Sequence, residues 1–190
     1  MDEETLIARS TVVRQQLGDE FRGRAATLPV PLPEVYLHPG QSHVANHPAM
    51  LKMILGSCAG VFLFDRALGI GGASHFMLPT RGEAPPSPRY GDVAIAELLE
   101  RFRGLGSKRR DIQGRIFGGA CMVQALENLG GSRIGQIGRR NIEIALEILE
   151  RESIAILEKN VFGNQARKVS MDSTTGEVTL EFVSNTDGNR

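Results

Sequence analysis

The chain has 190 residues, enough for one domain with a sizeable core, because single domains commonly hold about 100 to 200 residues. Its 22 basic and 22 acidic residues cancel, so the composition gives no support for a nucleic-acid partner or a polybasic membrane anchor. No apolar run approaches the roughly 20 residues that span a bilayer, and the first residues are acidic where a secretory signal is basic, so we predict a cytoplasmic protein without membrane insertion.

The N-terminal residues 1–33 are predicted to lie outside the core. They mix charges with weak helical periodicity and end in Leu28-Pro-Val-Pro-Leu-Pro33, where alternating prolines remove backbone donors and favour an extended linker. A proline-rich segment can also bind an aromatic groove on a partner, but no second feature of the sequence supports that alternative.

The first strands are predicted at Val35-Tyr-Leu37 and in the apolar run from Met50 to Leu55. Between them, His38, His43 and His47 fall within ten residues, but no cysteine or closely spaced carboxylate completes a metal-ligand pattern. We therefore predict no metal and no cofactor, and we interpret this stretch as a polar loop around Pro39-Gly40.

A hairpin is predicted next. Val61-Phe-Leu-Phe64 is continuously apolar, which is typical of a strand buried on both faces, and it ends at Asp65 before a glycine-rich turn at residues 69–72. The two ends of this hairpin carry Cys58 and His75. Gly56 and Ser57 permit a sharp turn before Cys58, and Gly60 is expected to leave space for a substrate chain.

Three helices are predicted in the second half. The first begins at Asp92 as N-cap and ends at Gly104, with apolar residues at helical spacing. A strand at residues 112–117 follows, then a second helix around residues 122–129 and a third around residues 142–149. Gly138-Arg-Arg-Asn141 is interpreted as a cap of the third helix, with Asn141 serving the backbone.

The chain closes with a short strand at residues 154–157 and an amphipathic hairpin. Val178, Leu180 and Phe182 alternate with polar residues after a turn at residues 172–176. The pattern predicts an α/β (α+β) fold, a single compact domain of mixed β-sheets flanked by about three helices. The domain is predicted to cover residues 34–183, with a disordered tail at residues 184–190.

Cys58 and His75, seventeen residues apart, are the candidate catalytic pair. A thiol becomes a strong nucleophile when a base removes its proton, and histidine does so near neutral pH. Small neighbours also allow the Ser57 and Cys58 amides to bind an oxyanion. Without further information, a cysteine beside an apolar run is usually a small core residue, and His75 could equally be a satisfied core histidine. Cys121, the other cysteine, is interpreted as packing.

The motifs resemble one known family, the chemoreceptor glutamine deamidases (CheD). The matching segments are Leu55-Gly-Ser-Cys58, Gly71-Gly72, His75-Phe76, Leu78-Pro79, Tyr90-Gly-Asp-Val-Ala94, Phe117-Gly-Gly-Ala120, Ile137-Gly-Arg-Arg-Asn141 and Arg167-Lys-Val169. They occur in the family's order over residues 34–183, and the resemblance implies the same fold class.

The resemblance implies a cysteine-dependent protein-glutamine deamidase that converts glutamine side chains on the cytoplasmic helices of chemoreceptors to glutamate, and so tunes adaptation in chemotaxis. It implies Cys58 as nucleophile and His75 as its base. The receptor is then the substrate, and a CheC-type phosphatase is a further partner. The alternative is a catalytically weak or inactive CheD-like adaptor that binds such a phosphatase or a receptor.

Two positions depart from the family pattern. The family has a threonine six residues before the cysteine, thought to complete a triad, and this chain has Lys52 there. Because an ammonium group accepts no hydrogen bond from imidazole, a backbone carbonyl or another side chain would have to orient His75. The glycine-rich motif before the last hairpin is also altered, to Phe162-Gly-Asn-Gln-Ala-Arg167.

Overall fold

The computed structural model describes residues 31–121 and 133–183. Two α-helices lie in these residues, α1 (Gly91–Gly104) and α2 (Arg133–Arg151), with one 3-10 turn, Arg109–Asp111. The strands of the same part of the chain are β1 (Glu34–Tyr36), β2 (Gln41–Val44), β3 (Met50–Leu55), β4 (Ala59–Asp65), β5 (Ile70–Phe76), β6 (Ile112–Gly118), β7 (Ala155–Val161), β8 (Arg167–Asp172) and β9 (Val178–Phe182).

The strands form two mixed sheets. The large sheet has the order β2-β5-β4-β6-β7, and the small sheet has the order β1-β3-β8-β9. Each sheet holds one parallel pair, β6 with β7 in the large sheet and β1 with β3 in the small one. The predicted α+β class with mixed sheets is therefore confirmed.

The large sheet is the middle layer of three, because apolar side chains of β4 alternate between its two faces. Val61 and Leu63 pack with α1 and α2, whereas Phe62 packs with residues of the small sheet such as Met53 and Val169. Every residue of β4 is buried, as its continuous apolar sequence predicted. The helices thus cover one face of the large sheet and the small sheet covers the other.

The predicted hairpin consists of β4 and β5. Asp65 closes β4, and its carboxylate accepts hydrogen bonds from Ala67 N at 2.8 Å and Leu68 N at 3.0 Å, which stabilises the turn. The antiparallel register places Gly60 opposite His75 and Ala59 opposite Phe76. Cys58 and the β5 end that carries His75 therefore lie at the same end of the sheet.

Several predicted boundaries were wrong. Helix α1 begins at Gly91 with Tyr90 as N-cap, and Asp92 lies in its first turn, where its carboxylate accepts from Arg81 N. Helix α2 begins well before residue 138, so Asn141 lies within the helix and caps nothing. The last short strand extends to Val161.

The stretch interpreted as a polar loop contains β2, which pairs with β5 as an edge strand. Its sequence is mostly polar and none of its residues is fully buried, so no apolar alternation marked it as a strand. The predicted helix at residues 122–129, the tail and residues 1–30 of the predicted N-terminal extension fall outside the described residues. Among the helices that the structure describes, neither is long and apolar enough to cross a bilayer.

Candidate active site around Cys58 and His75

The candidate nucleophile lies on a three-residue bend, residues 56–58, that joins β3 of the small sheet to β4 of the large sheet. The thiol of Cys58 is not in a disulfide, and its residue is half-buried. One side of Cys58 packs against the apolar layer between the two sheets. The bend therefore holds Cys58 beside this layer with part of the residue exposed.

The carbonyl groups of the bend are all held by hydrogen bonds. Gly56 O accepts from Ala120 N at 2.8 Å, and Cys58 O accepts from Gly119 N at 2.8 Å. Ser57 O accepts from Asn141 Nδ2 at 3.2 Å. With its carbonyls fixed in this way, the bend has little freedom to rotate its peptide planes.

The amides of the bend differ from its carbonyls. Within the described part of the chain, Ser57 N and Cys58 N donate to no other residue. The Cys58 amide lies near its own sulfur, where it favours the thiolate. Because no other described residue accepts from these two amides, they remain available for the oxyanion role predicted for Ser57 and Cys58.

His75 is buried, and its ring has one fixed nitrogen and one unpaired nitrogen. Nδ1 donates to Leu37 O at 3.0 Å, and because a carbonyl oxygen only accepts, Nδ1 must carry the hydrogen. Nε2 of the neutral ring then has a free lone pair. Among the described residues, this buried Nε2 has no hydrogen-bond partner. The ring is thus held in the tautomer that can accept a proton at Nε2.

The carbonyl that orients His75 belongs to Leu37, just after β1. Leu37 N donates to Lys52 O at 2.8 Å, so β3 holds Leu37 in place through its main chain. The Lys52 side chain forms an ion pair with Glu34. Lys52 alternates along β3 with the buried residues Leu51 and Met53, which places its side chain on the opposite face of the small sheet. Lys52 therefore supports Leu37 through its backbone, and its ammonium group lies away from the imidazole.

Cys58 and His75 both face the layer between the two sheets. His75 lies two residues after Ala73, which packs in that layer, and alternate residues of a strand share a face. Leu37 packs in the same layer. No hydrogen bond joins the sulfur to Nε2 in the described structure. Catalytic hydrogen bonds are often long before substrate binds, so the missing hydrogen bond is compatible with a catalytic pair whose two side chains share one face.

Burial shifts the pKa values of Cys58 and His75 in the directions that favour the neutral thiol and the neutral imidazole. Burial raises the pKa of the Cys58 thiol, and the nearby main-chain amide offsets this only in part. Burial also lowers the pKa of His75, although its bond to Leu37 acts in the opposite direction. The resting pair is therefore a thiol and a neutral imidazole, and proton transfer has to accompany attack on the substrate.

Asn141 is a supporting residue that sequence analysis placed wrongly. From the middle of α2, its Nδ2 donates to Ser57 O at 3.2 Å and to Met77 O at 3.1 Å. These two carbonyls flank Cys58 and His75 in the chain. The expectation that Asn141 serves the backbone holds, but it ties the nucleophile bend to the end of β5 and does not cap a helix.

Replacing Asn141 with alanine should leave two carbonyls unpaired and loosen the bend. We expect a loss of about 1–3 kcal/mol in the free energy of unfolding, from urea titration. We also expect the turnover predicted for the Cys58–His75 pair to fall by about 10²-fold, because a small misplacement of a nucleophile slows its attack on the substrate. Arg140→Ala, on an exposed neighbour, is the matched control and should change neither quantity. Wild-type turnover by the Asn141 variant would show that the bend does not need this tie.

Arg167 is a second residue whose role the sequence did not reveal. It is only 2% exposed at the start of β8, and it donates through Nη1 to Gly118 O at 2.8 Å and through Nη2 to Phe162 O. Burial lowers the pKa of its guanidinium. Arg167 lies two and four residues before the buried Val169 and Met171, on the same face of β8. This spacing is the sequence signal that could have predicted a buried arginine.

Gly118 lies so close to the bend at residues 56–58 that only glycine fits there. It adopts φ +113°, and an added Cβ would lie 2.1 Å from Cys58 O. Any side chain there would displace the nucleophile bend. The expectation for Gly60 was wrong, because its missing side chain makes room for Met53 and Leu55 of the small sheet, 2.6 and 2.9 Å from an added Cβ, and not for a substrate.

The remaining candidates are the histidines of the predicted polar loop and Cys121, and one of them, His38, lies close enough for its charge to help lower the pKa of His75. His43 lies on β2, and the His38 ring packs at a tilt against the Tyr36 ring, with 4.9 Å between their centroids. The part of the chain that the structure describes holds no group of three or more metal-ligating side chains. Cys121 is half-buried beyond β6, where its amide donates to Gly163 O at 2.8 Å. Its packing role stays a prediction.

A family model described as CheD chemotactic sensory transduction matches residues 77–182, more than half of the chain. The matched range contains Asn141 and Arg167 and begins two residues after His75. A crystal structure of the Bacillus licheniformis hypothetical protein YfiH aligns with 65% of this chain and 51% of that chain, at 16% identity and a TM-score of 0.42, which is too low to support an argument.

Curated proteins give closer matches over more of the chain. A protein of Sulfurimonas denitrificans named "Probable chemoreceptor glutamine deamidase CheD" is 35% identical over 153 residues, which are 80% of this chain and 96% of that protein. A Trichlorobacter lovleyi protein of the same name is 36% identical over 79% of this chain and 91% of that protein. An Anaeromyxobacter dehalogenans relative is 37% identical over 72% and 77% respectively.

Proposed function

Because this chain belongs to the CheD chemotactic sensory transduction family, we propose that it is a glutamine deamidase that acts on chemoreceptors. The curated relatives carry this activity in their names. The substrate is a glutamine side chain on a receptor helix, and the product is glutamate. The reaction is hydrolysis of a carboxamide by a cysteine nucleophile.

In the first half of the reaction, Cys58 Sγ attacks the carboxamide carbon while His75 Nε2 takes the thiol proton. The Ser57 and Cys58 amides stabilise the oxyanion of the tetrahedral intermediate. The protonated His75 then gives its proton to the departing nitrogen, which leaves as ammonia. A thioester between Cys58 and the former glutamine remains.

In the second half, His75 Nε2 removes a proton from water, and the resulting hydroxide attacks the thioester carbon. The carbon–sulfur bond breaks, the thiolate recovers a proton from His75, and the receptor is released with a carboxylate. Each turnover thus consumes one water and adds one negative charge to the receptor. On a packed helical bundle, added like charge shifts the balance between signalling states.

The observation that carries this proposal is the state of His75. Its Nδ1 is fixed by Leu37 O. Its buried Nε2 has no hydrogen-bond partner among the described residues, on a ring that faces the same layer between the two sheets as Cys58. A buried polar atom without a partner is costly in a purely structural role, but a base that acts only when substrate arrives needs a free lone pair. The arrangement therefore supports a catalytic histidine.

We further propose a cytoplasmic location, where the receptor helices are reached, and a CheC-type phosphatase as a second partner. The alternative of an inactive CheD-like adaptor is less favoured, because three curated relatives are named deamidases. Lys52 at the family's threonine position does not revive it, since Leu37 O already orients His75.

The test is incubation of the purified protein with the cytoplasmic helical fragment of a receptor from the same organism, followed by mass spectrometry of its peptides. We expect an amide-to-acid mass change at particular glutamines. A protein that binds the fragment and converts no glutamine would be an adaptor, and the deamidase proposal would be abandoned.

A further inference from the structure

Phe162 adopts a backbone conformation that a bulky residue rarely tolerates. Its φ is +66°, in the left-handed region that favours glycine, and it follows directly after β7. The residue is 37% exposed, which is high for a large aromatic residue. Neither the fold nor the proposed reaction requires this side chain, because glycine would adopt the same backbone at lower cost.

The main chain around Phe162 holds it in this state. Phe162 N donates to Gly118 O at 2.8 Å, and Phe162 O accepts from the buried Arg167 guanidinium. Strain that the surroundings enforce in this way is concentrated at functional sites in proteins. The guanidinium of Arg139 lies 5.5 Å from the ring centroid and covers one face of the ring. The ring is thereby fixed in direction while part of it stays open to solvent.

Phe162 lies at the same end of the large sheet as Cys58. Gly118, the last residue of β6, pairs with Ala59 at the start of β4 and with Val161 at the end of β7. Cys58 precedes Ala59, and Phe162 follows Val161. Since neighbouring strands lie about 4.8 Å apart, the two main-chain positions are separated by about 10 Å across β6.

A separation of this size matches a helical substrate. An α-helix rises 1.5 Å per residue, so about 10 Å along its axis corresponds to about seven residues, or two turns on one face. A helix that lies across these strand ends with its glutamine at Cys58 would bring the residue about seven positions away to Phe162. An aromatic ring there binds an apolar side chain of that helix.

We propose that Phe162 is a specificity-determining residue, whose exposed ring binds an apolar side chain about two turns from the target glutamine on the receptor helix. This inference rests on the proposed function and adds a second contact to it. Because the main-chain positions of Phe162 and Cys58 lie about two strand spacings apart, the ring should contribute to substrate binding and not to the chemical step.

The experiment compares Phe162→Gly with Phe162→Tyr and Ser153→Gly. Ser153 also has positive φ, +58°, but lies at the opposite end of β7, so its glycine variant relieves similar strain far from the site. We expect Phe162→Gly to raise KM for the receptor fragment about tenfold with kcat little changed. The Phe162→Tyr and Ser153→Gly variants should keep wild-type KM. Thermal unfolding should show that Phe162→Gly is no less stable, which excludes a structural cause.

A binding measurement separates this inference from the deamidase proposal. In a Cys58→Ala background, which cannot turn over, Phe162→Gly should weaken affinity for the receptor fragment by a similar factor. Equal affinity with and without the ring, or no binding by either variant, would overturn the role of Phe162. A wild-type protein that converts no glutamine would instead overturn the deamidase proposal, whatever the affinities are.

Discussion

Replacing Cys58 with alanine should abolish conversion of receptor glutamines, with turnover reduced by at least about 10⁴-fold. The reaction needs a covalent bond to sulfur, and alanine offers no atom that could form one. The fold should survive, because Cys58 is half-buried and its bend is held by main-chain carbonyls that the substitution keeps. Mass spectrometry of receptor peptides and circular dichroism of the variant measure the two expectations.

Cys121→Ala is the matched control for this prediction, since it removes the other half-buried thiol of the chain. It should deamidate the receptor fragment at a rate near that of the wild type. A thioester trapped on the wild-type protein by acid quench should map to the peptide with Cys58. Activity that persists in Cys58→Ala and disappears in Cys121→Ala would identify Cys121 as the nucleophile and exclude Cys58.

The second large effect is expected for His75→Asn. The asparagine amide can still donate to Leu37 O, so the packing of Leu37 should be preserved, but no group remains to take the thiol proton. General-base catalysis is typically worth about 10² to 10⁴-fold, and kcat should fall by that factor. Unchanged affinity of this variant for the receptor fragment would attribute the loss to chemistry. A variant with wild-type kcat would exclude His75 as the base.

The pH profile gives an independent check on His75. Because burial lowers its pKa below the usual 6.5, the acid limb of kcat/KM should lie below that of a histidine in solution. As pH drops through about 6.5, the unfolded chain binds a proton at His75 more readily than the folded chain, so stability should fall. The His75→Asn variant should lack this contribution. An acid limb of kcat/KM well above 6.5 would contradict the neutral resting pair.

Much of the hairpin could be predicted because its information is local. The apolar run of β4, Asp65 and the glycine-rich turn specify two strands and a reversal, and the antiparallel pairing then brings Cys58 and His75 to one end of the sheet. The edge strand β2 could not be predicted in this way. Its residues Gln41 to Val44 are mostly polar, and only the neighbouring β5 makes them a strand.

The supports of the site could not be predicted because they are not local. Leu37 acts through a main-chain oxygen, which leaves no signature in a sequence, and Lys52 at the expected orienting position points to the other face of its sheet. Asn141 looked like a cap because it follows glycine and two arginines, but α2 starts before this motif. Its true partners, Ser57 and Met77, are 84 and 64 residues away in the chain.

The hydrogen bonds that fix the bend at residues 56–58 come from Gly119, Ala120 and Asn141, all far downstream. A fragment that carries only the hairpin and the bend would therefore contain Cys58 and His75, the proposed catalytic pair, without the residues that hold the bend in place. Transplanting this chemistry into another protein would require the β6 terminus and the long second helix as well. Deamidation, in this architecture, belongs to the assembled tertiary structure and is not portable as a motif.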